Sequence, residues 1–161
     1  MTTAFRFIKG SGKEDRLEVL RDGAVTDTLV CPKQRIIPHD MVHFAVEDAL
    51  HRRGFLTRVA HGEAADFRMD ADAESEGVER LVEVFQGDGW SGGTTPSDAM
   101  IDLYRVTCDA RSCPMLPVDA DTILAIRDHI ADLTAQWDAI PVGDSLTLTF
   151  AQRVGTGSAP E

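Results

Sequence analysis

The sequence predicts an α+β fold: one antiparallel sheet, built from an N-terminal meander and a C-terminal strand, with three to five helices packed on one face. Three observations lead there. The first thirty residues alternate like strands around Asp22-Gly23. "SLTLTF", from Ser145 to Phe150, alternates as strictly near the other end. The segments between them carry helical periodicity.

Taken in order, Phe5 and Phe7 alternate with Ala4, Arg6 and Ile8, and "KGSGKED" follows as a turn. "RLEVLRDGAVTDTLV" holds two β-rich runs joined through Asp22-Gly23, a pair that tolerates the positive φ angles of a tight hairpin. A first helix spans residues 39–53, opened by Pro38 and ending near Gly54. Val42, Ala45, Val46, Ala49 and Leu50 mark its buried stripe. "GFLTRVAHGEAADFRM" reads as a short second helix in preference to a strand, and "DADAESEG" as a solvated acidic stretch. "VERLVEVF" fits a helix and a strand equally. "QGDGWSGGTTPSDAMIDLYRVTC" reads as a glycine-rich loop feeding a helix, with Thr95 as N-cap, Pro96 in the first turn and Asp98 as capping-box partner. The last helix runs from about Asp119 to Trp137, with Ile123, Ile126, Ile130, Leu133 and Trp137 in 3-4-3-4 spacing. In the final strand, Leu146, Leu148 and Phe150 alternate with Ser145, Thr147 and Thr149. Residues 1–152 read as a single domain and 153–161 as a loose tail.

Composition removes several classes of function. A net charge of −11, with no lysine–arginine cluster beyond "HRRG", disfavours nucleic acid and anionic membranes as partners. There is no apolar run long enough to span a bilayer, and the N-terminus lacks the apolar core of a signal peptide. Cys31, Cys108 and Cys113 are an odd number of cysteines and read as free thiols of a reduced, cytoplasmic protein.

The segment "IIPHDMVHFAVEDALHRRG" concentrates the chemistry. Residues four apart on a helix differ by 40° in direction, so His39 and His43 stand one turn apart on one side and Glu47 follows. Imidazoles so placed chelate Zn²⁺, and Asp40 stands where helix-borne H-E-x-x-H sites carry their glutamate base. His39 and Glu47 are roughly 12 Å apart along the axis and do not share one ion. A third ligand must come from elsewhere. Glu63, twenty residues beyond His43, has the spacing of the downstream glutamate of gluzincin metalloproteases, which this stretch resembles over residues 39 to 66. Asp66, His61 and His129 are further choices. Without metal, His39 in the first turn serves as a base beside Asp40 or Glu47. The structural alternative makes Asp40 a favourable charge at a helix N-terminus, His43 a hydrogen-bonded residue at the edge of the apolar arc, and Glu47 with His51 a surface pair.

"IPHDMVHFAVEDAL…GF…VAHG" also resembles a segment of small uncharacterised bacterial proteins that carry a P-H-D-x-x-H-x-x-x-E helix followed by a G-F stretch. The resemblance covers about a quarter of the chain and implies a bacterial origin. That family has no established activity.

Other features are secondary. "GDGWSG" matches G-x-G-x-x-G but lacks the strand–glycine–helix context of a dinucleotide site. Trp90 within it either plugs the core or covers a ligand or partner surface, and the core role is the expectation. Cys31 becomes a nucleophile only if His39 or a helix N-terminus activates it. The last helix's stripe packs on the sheet or forms a homodimer seam, and Leu124 and Ala131 broaden it toward core packing. The sequence thus describes a small, soluble, acidic protein with a His/carboxylate site at His39, Asp40, His43 and Glu47, whose cofactor, if it holds one, is a divalent metal. The alternative is a ligand- or protein-binding module in which the histidines are structural.

Overall fold

The computed structural model describes residues 2–62 and 72–150. Its chain runs β1 (Thr3–Ile8), β2 (Glu14–Arg21), β3 (Ala24–Pro32), α1 (His39–Leu50), α2 (Phe55–Ala60), α3 (Ala73–Trp90), α4 (Ser97–Ala110), α5 (Ala120–Ala139) and β4 (Ser145–Leu148). The four strands form one antiparallel sheet in the order β3-β2-β1-β4. This is the α+β fold that the alternation and periodicity predict.

Asp22 (φ 51°) and Gly23 (φ 86°) both adopt left-handed backbone, as a type I′ hairpin requires. Strand pairing aligns Phe5 with Val19 and Leu148, and Phe7 with Leu17 and Leu146, which builds one apolar face. The opposite face carries polar ladders such as Arg6 beside Glu18, hydrogen-bonded at 2.6 Å.

Helix α1 lies against that apolar face, with Phe44 edge-on to Phe5 and stacked on Phe150. α2, α3 and α5 also contact α1, so every residue from Met41 to Glu47 is buried. The stripe read from the sequence is therefore the full circumference of the helix. α1 ends at His51, whose left-handed φ of 54° stops the helix three residues before Gly54.

Helix α3 departs most from expectation. It spans 18 residues, taking in the acidic stretch from Ala73 onward, "VERLVEVF" and the supposed glycine loop as far as Trp90. Asp72 and Ser75 form a reciprocal capping box at its start, so part of the acidic stretch is a helix cap and first turn. Glycine disfavours a helix interior by about 1 kcal/mol. The helix nevertheless continues through Gly87 and Gly89, because the turn is anchored at buried Asp88, which accepts bonds from Thr95 N and Arg127. Gly89 also packs against Ile36, where an added Cβ would come within 3.2 Å.

Further along, Thr95 does not cap α4: Pro96 occupies that position without a side-chain bond, and Asp98 bonds Ala99 N instead of closing a capping box. Trp90 is 56% exposed, not buried, and its Nε1 donates to Gln34 O at 2.7 Å. α5 starts where the sequence places it, capped by the Asp119 side chain, and its Ile123, Ile126, Leu133 and Trp137 enter the protein's own core. No helix among the described residues is long and apolar enough to cross a membrane. The tail proposed at 153–161 lies outside the described residues.

Tyr104 joins α4 to α3 and to the segment before α5. Its hydroxyl donates to Gly77 O at 2.9 Å and accepts from Leu116 N at 3.1 Å, with the whole side chain buried. Replacing it by Phe strands Leu116 N, whereas Gly77 O keeps its helical bond within α3, and an unsatisfied buried group costs about 1–3 kcal/mol. Tyr104→Phe should therefore lower the urea midpoint at unchanged m-value; an unchanged midpoint would show that Leu116 N finds another partner.

Candidate metal centre

Pro38 starts α1, its carbonyl accepting from Met41 N and Val42 N. That start projects His39, His43 and Glu47 along one side of the helix. α3 packs against the same side and brings Glu79 between the two imidazoles. One carboxylate oxygen of Glu79 lies 2.7 Å from His43 Nε2, and the other lies 3.5 Å from His39 Nε2. The rings meet edge to face with centroids 4.9 Å apart. The ligating atoms of His39, His43 and Glu79 all fall within 4.8 Å of one another.

Behind this trio, Glu47 has no exposure to solvent. Its carboxylate faces His43 Nδ1 at 2.9 Å and accepts Thr57 N and Thr57 Oγ1, each at 2.7 Å, and Leu56 N at 3.2 Å. The first amides of α2 thus cap a carboxylate contributed by α1. Gly54 is required at the junction, since an added Cβ would come within 2.6 Å of Glu47 Cδ, Glu47 Oε2 and Val78 Cγ1.

Electrostatics follow from this packing. Burial by itself would lower the pKa of His43, but its hydrogen bonds to Glu47 and Glu79 outweigh burial and raise it to about 10. With a carboxylate at each nitrogen, His43 is an imidazolium in the metal-free protein. Burial pushes Glu79 up, and the two imidazoles more than reverse this, holding it well below the usual carboxylate range. His39 is raised as well, its bond to Glu79 overcoming burial. Asp40 is raised by burial despite the attraction of both histidines.

Of the residues read from the sequence, His39, His43 and Glu47 therefore do come together. Glu47 is the buried anchor of the cluster, not half of a surface pair, and His51 is exposed. His129 binds Asp48 at 3.0 Å, and His61 is an exposed residue at the end of α2. Glu63 and Asp66 lie outside the described residues. Cys31 points toward Asp40 (3.9 Å) rather than an imidazole. Burial and the carboxylates of Asp40 and Asp15 push its thiol up to about 12, which leaves no thiolate to act as a nucleophile.

Glu79 was not anticipated. Read as a helix, "VERLVEVF" has Val78, Leu81, Val82 and Phe85 as its buried stripe, and Glu79 stands at the border of that stripe. The signal existed, but the choice between helix and strand hid it.

Comparison with family models, curated proteins and solved structures found no match to this chain.

Two outcomes are expected of metal-free protein held in chelator. His43 has a folded pKa of about 10 against an ordinary 6.5, so its stabilisation is complete below pH 6.5 and is lost as pH rises toward 10. His39 and Asp40, both raised, act in the same direction. Glu79 is lowered from 4.5, so its contribution is present above that pH and is lost on acidification. The urea midpoint should peak between about pH 4.5 and 6.5 and fall toward pH 10; His43→Gln should flatten the alkaline fall, and an equally steep fall in that variant would contradict the assignment. Gly54→Ala, which forces Glu47 and Val78 to move, should cost about 2 kcal/mol or more in the same assay.

Proposed function

We propose that His39, His43 and Glu79 bind a divalent transition metal, with Glu47 as the outer carboxylate that orients His43. The observation that carries this reading is the placement of Glu79, one oxygen toward each imidazole Nε2. Two histidines and one carboxylate suit Zn²⁺ or Fe²⁺. A histidine whose far nitrogen is held by a carboxylate, as His43 is by Glu47, is the usual support for such a ligand. Tetrahedral ligation at about 2.1 Å sets neighbouring ligand atoms roughly 3.4 Å apart. The two contacts run to different oxygens of Glu79, and with one ligand atom per residue the three lie within 4.8 Å of one another, so a metal would draw them closer and displace the proton between His43 and Glu79. The side chains that must adjust are accessible: His39 is 39% and Glu79 32% exposed, while His43 at 3% is fixed. The same exposure leaves remaining coordination positions facing solvent, where a metal supplies Lewis acidity to bound water.

A second reading rests on the short bonds at both nitrogens of His43, which make it an ionic tie between α1 and α3 with no metal needed.

The two readings part on His39 and on metal. Elemental analysis of untagged protein should find close to one equivalent of zinc or iron, and Co²⁺ added to stripped protein should give the visible absorption of a low-coordinate site. His39→Ala and Glu79→Gln should abolish both while the fold persists. At a hundredfold excess over Kd, bound metal should stabilise the wild type by about 2.7 kcal/mol. Protein that takes up no metal, with His39→Ala as stable as wild type and His43→Gln destabilised, would establish the tie instead.

A further inference from the structure

A recess lies away from the histidines: a cleft of about 910 Å³, with none of His39, His43 or Glu79 in its lining. It is bounded by the connection from β3 to α1, the C-terminal end of α3 and one face of α5. Its walls are apolar, formed by Ile36, Ile37, Val42, Phe85, Ile130 and Trp137. A smaller recess shares Lys33, Arg35, Ile36 and Gly89 with it and adds Gln34 and Trp90. Clefts of this size and lining are where small molecules bind.

Charge at the rim runs against the rest of the molecule. The chain carries a net −11, yet here Lys9, Lys33, Arg35 and Arg127 face Asp15, Asp88 and Asp138. Most of these groups already have work to do. Lys9 Nζ donates to Trp137 O at 2.6 Å and Ile140 O at 2.8 Å. Lys33 binds Gly10 O at 2.6 Å and lies 3.2 Å from Asp15. Arg127 is held by Asp88 at 3.1 Å and Thr95 O at 2.7 Å.

Arg35 differs. It is exposed and has neither a hydrogen bond nor an ion pair among the described residues. Its backbone has φ 74°, a region that costs a non-glycine residue about 1–2 kcal/mol. The strain is maintained by its neighbours: Gln34 Nε2 donates to Ile37 O, Gln34 O accepts from Trp90 Nε1, and Ile36 packs on Gly89. A fixed loop thus presents an unpaired guanidinium at the junction of the two recesses.

We propose that this cleft binds a small amphipathic carboxylate, with the carboxylate on Arg35 and the apolar body against Ile36, Val42, Phe85 and Trp137. Guanidinium is the side chain best matched to a carboxylate, through two parallel N–H bonds. The apolar wall selects against small hydrophilic anions.

The chain's two tryptophans, Trp137 in the cleft wall and Trp90 in the adjoining recess, report binding directly. Decanoate, kept below its micellar concentration, is the probe, and decanol is the neutral control. Saturable change in tryptophan emission is expected with decanoate at micromolar concentrations and more weakly with decanol. Arg35→Gln should weaken decanoate about tenfold and leave decanol unchanged. Ala135→Phe, on the exposed face of α5 lining the cleft, should block both. Both substitutions are at exposed positions, and far-ultraviolet circular dichroism checks that the fold is retained. The proposal is overturned if decanoate gives no saturation, if decanol binds as tightly, or if either variant binds decanoate like the wild type.

Discussion

A carboxylate without solvent sits at the centre of this molecule, and much of the surrounding structure answers to it. An unpaired buried charge is among the most destabilising features a fold can contain. Glu47 is therefore met by an imidazolium from its own helix and by two backbone amides and a hydroxyl from α2. Those partners dictate the local chain. His43 must lie one turn earlier, α2 must begin within reach, and the residue between the helices must lack a side chain. Gly54, Leu56 and Thr57 are as much part of the site as the histidines.

That arrangement also fixes α1 as a helix covered on all sides. An amphipathic helix hides its polar residues on the solvent face, but α1 has no such face over its middle two turns. Its polar residues must then be matched by neighbouring elements, and Glu79 of α3 supplies the missing counter-charge. The strength of the His43 pairing and the burial of α1 are one fact seen from two directions. The solvent-facing half of the cluster, His39 and Glu79, is free of this constraint and is where a ligand can enter.

The sheet was legible because each signal was local: Phe5 and Phe7 in alternation, the Asp22-Gly23 turn, and Leu146 and Leu148 near the other end. The helix at His39 and the one after Asp119 were legible for the same reason. What failed was long-range. Gly87 and Gly89 spelled a loop, yet the ties of Asp88 to Thr95 and Arg127 hold them in α3. The acidic run looked solvated because the Asp72–Ser75 capping box is visible only once a helix is known to follow. Trp90 was expected inside because it is large and apolar; a single bond to Gln34 O, distant in sequence, keeps it on the surface. The candidate site was half legible. His39, His43 and Glu47 share a helix, whereas Glu79 comes from a helix that packs beside it, and no spacing along the chain records that proximity.

The sheet order places β1 in the interior, paired with β2 on one side and with β4 on the other. During synthesis β1 and β2 emerge together, but the partner for β1's second edge follows only after α1 to α5. Until then the nascent chain presents an open strand edge bearing Phe5 and Phe7, the kind of surface that recruits other strands. Phe150, which closes over Phe5 and Phe44, arrives later still. Closure of the sheet therefore waits on β4, and the vulnerable interval is the time β1's second edge stays unpaired while α1 to α5 are made.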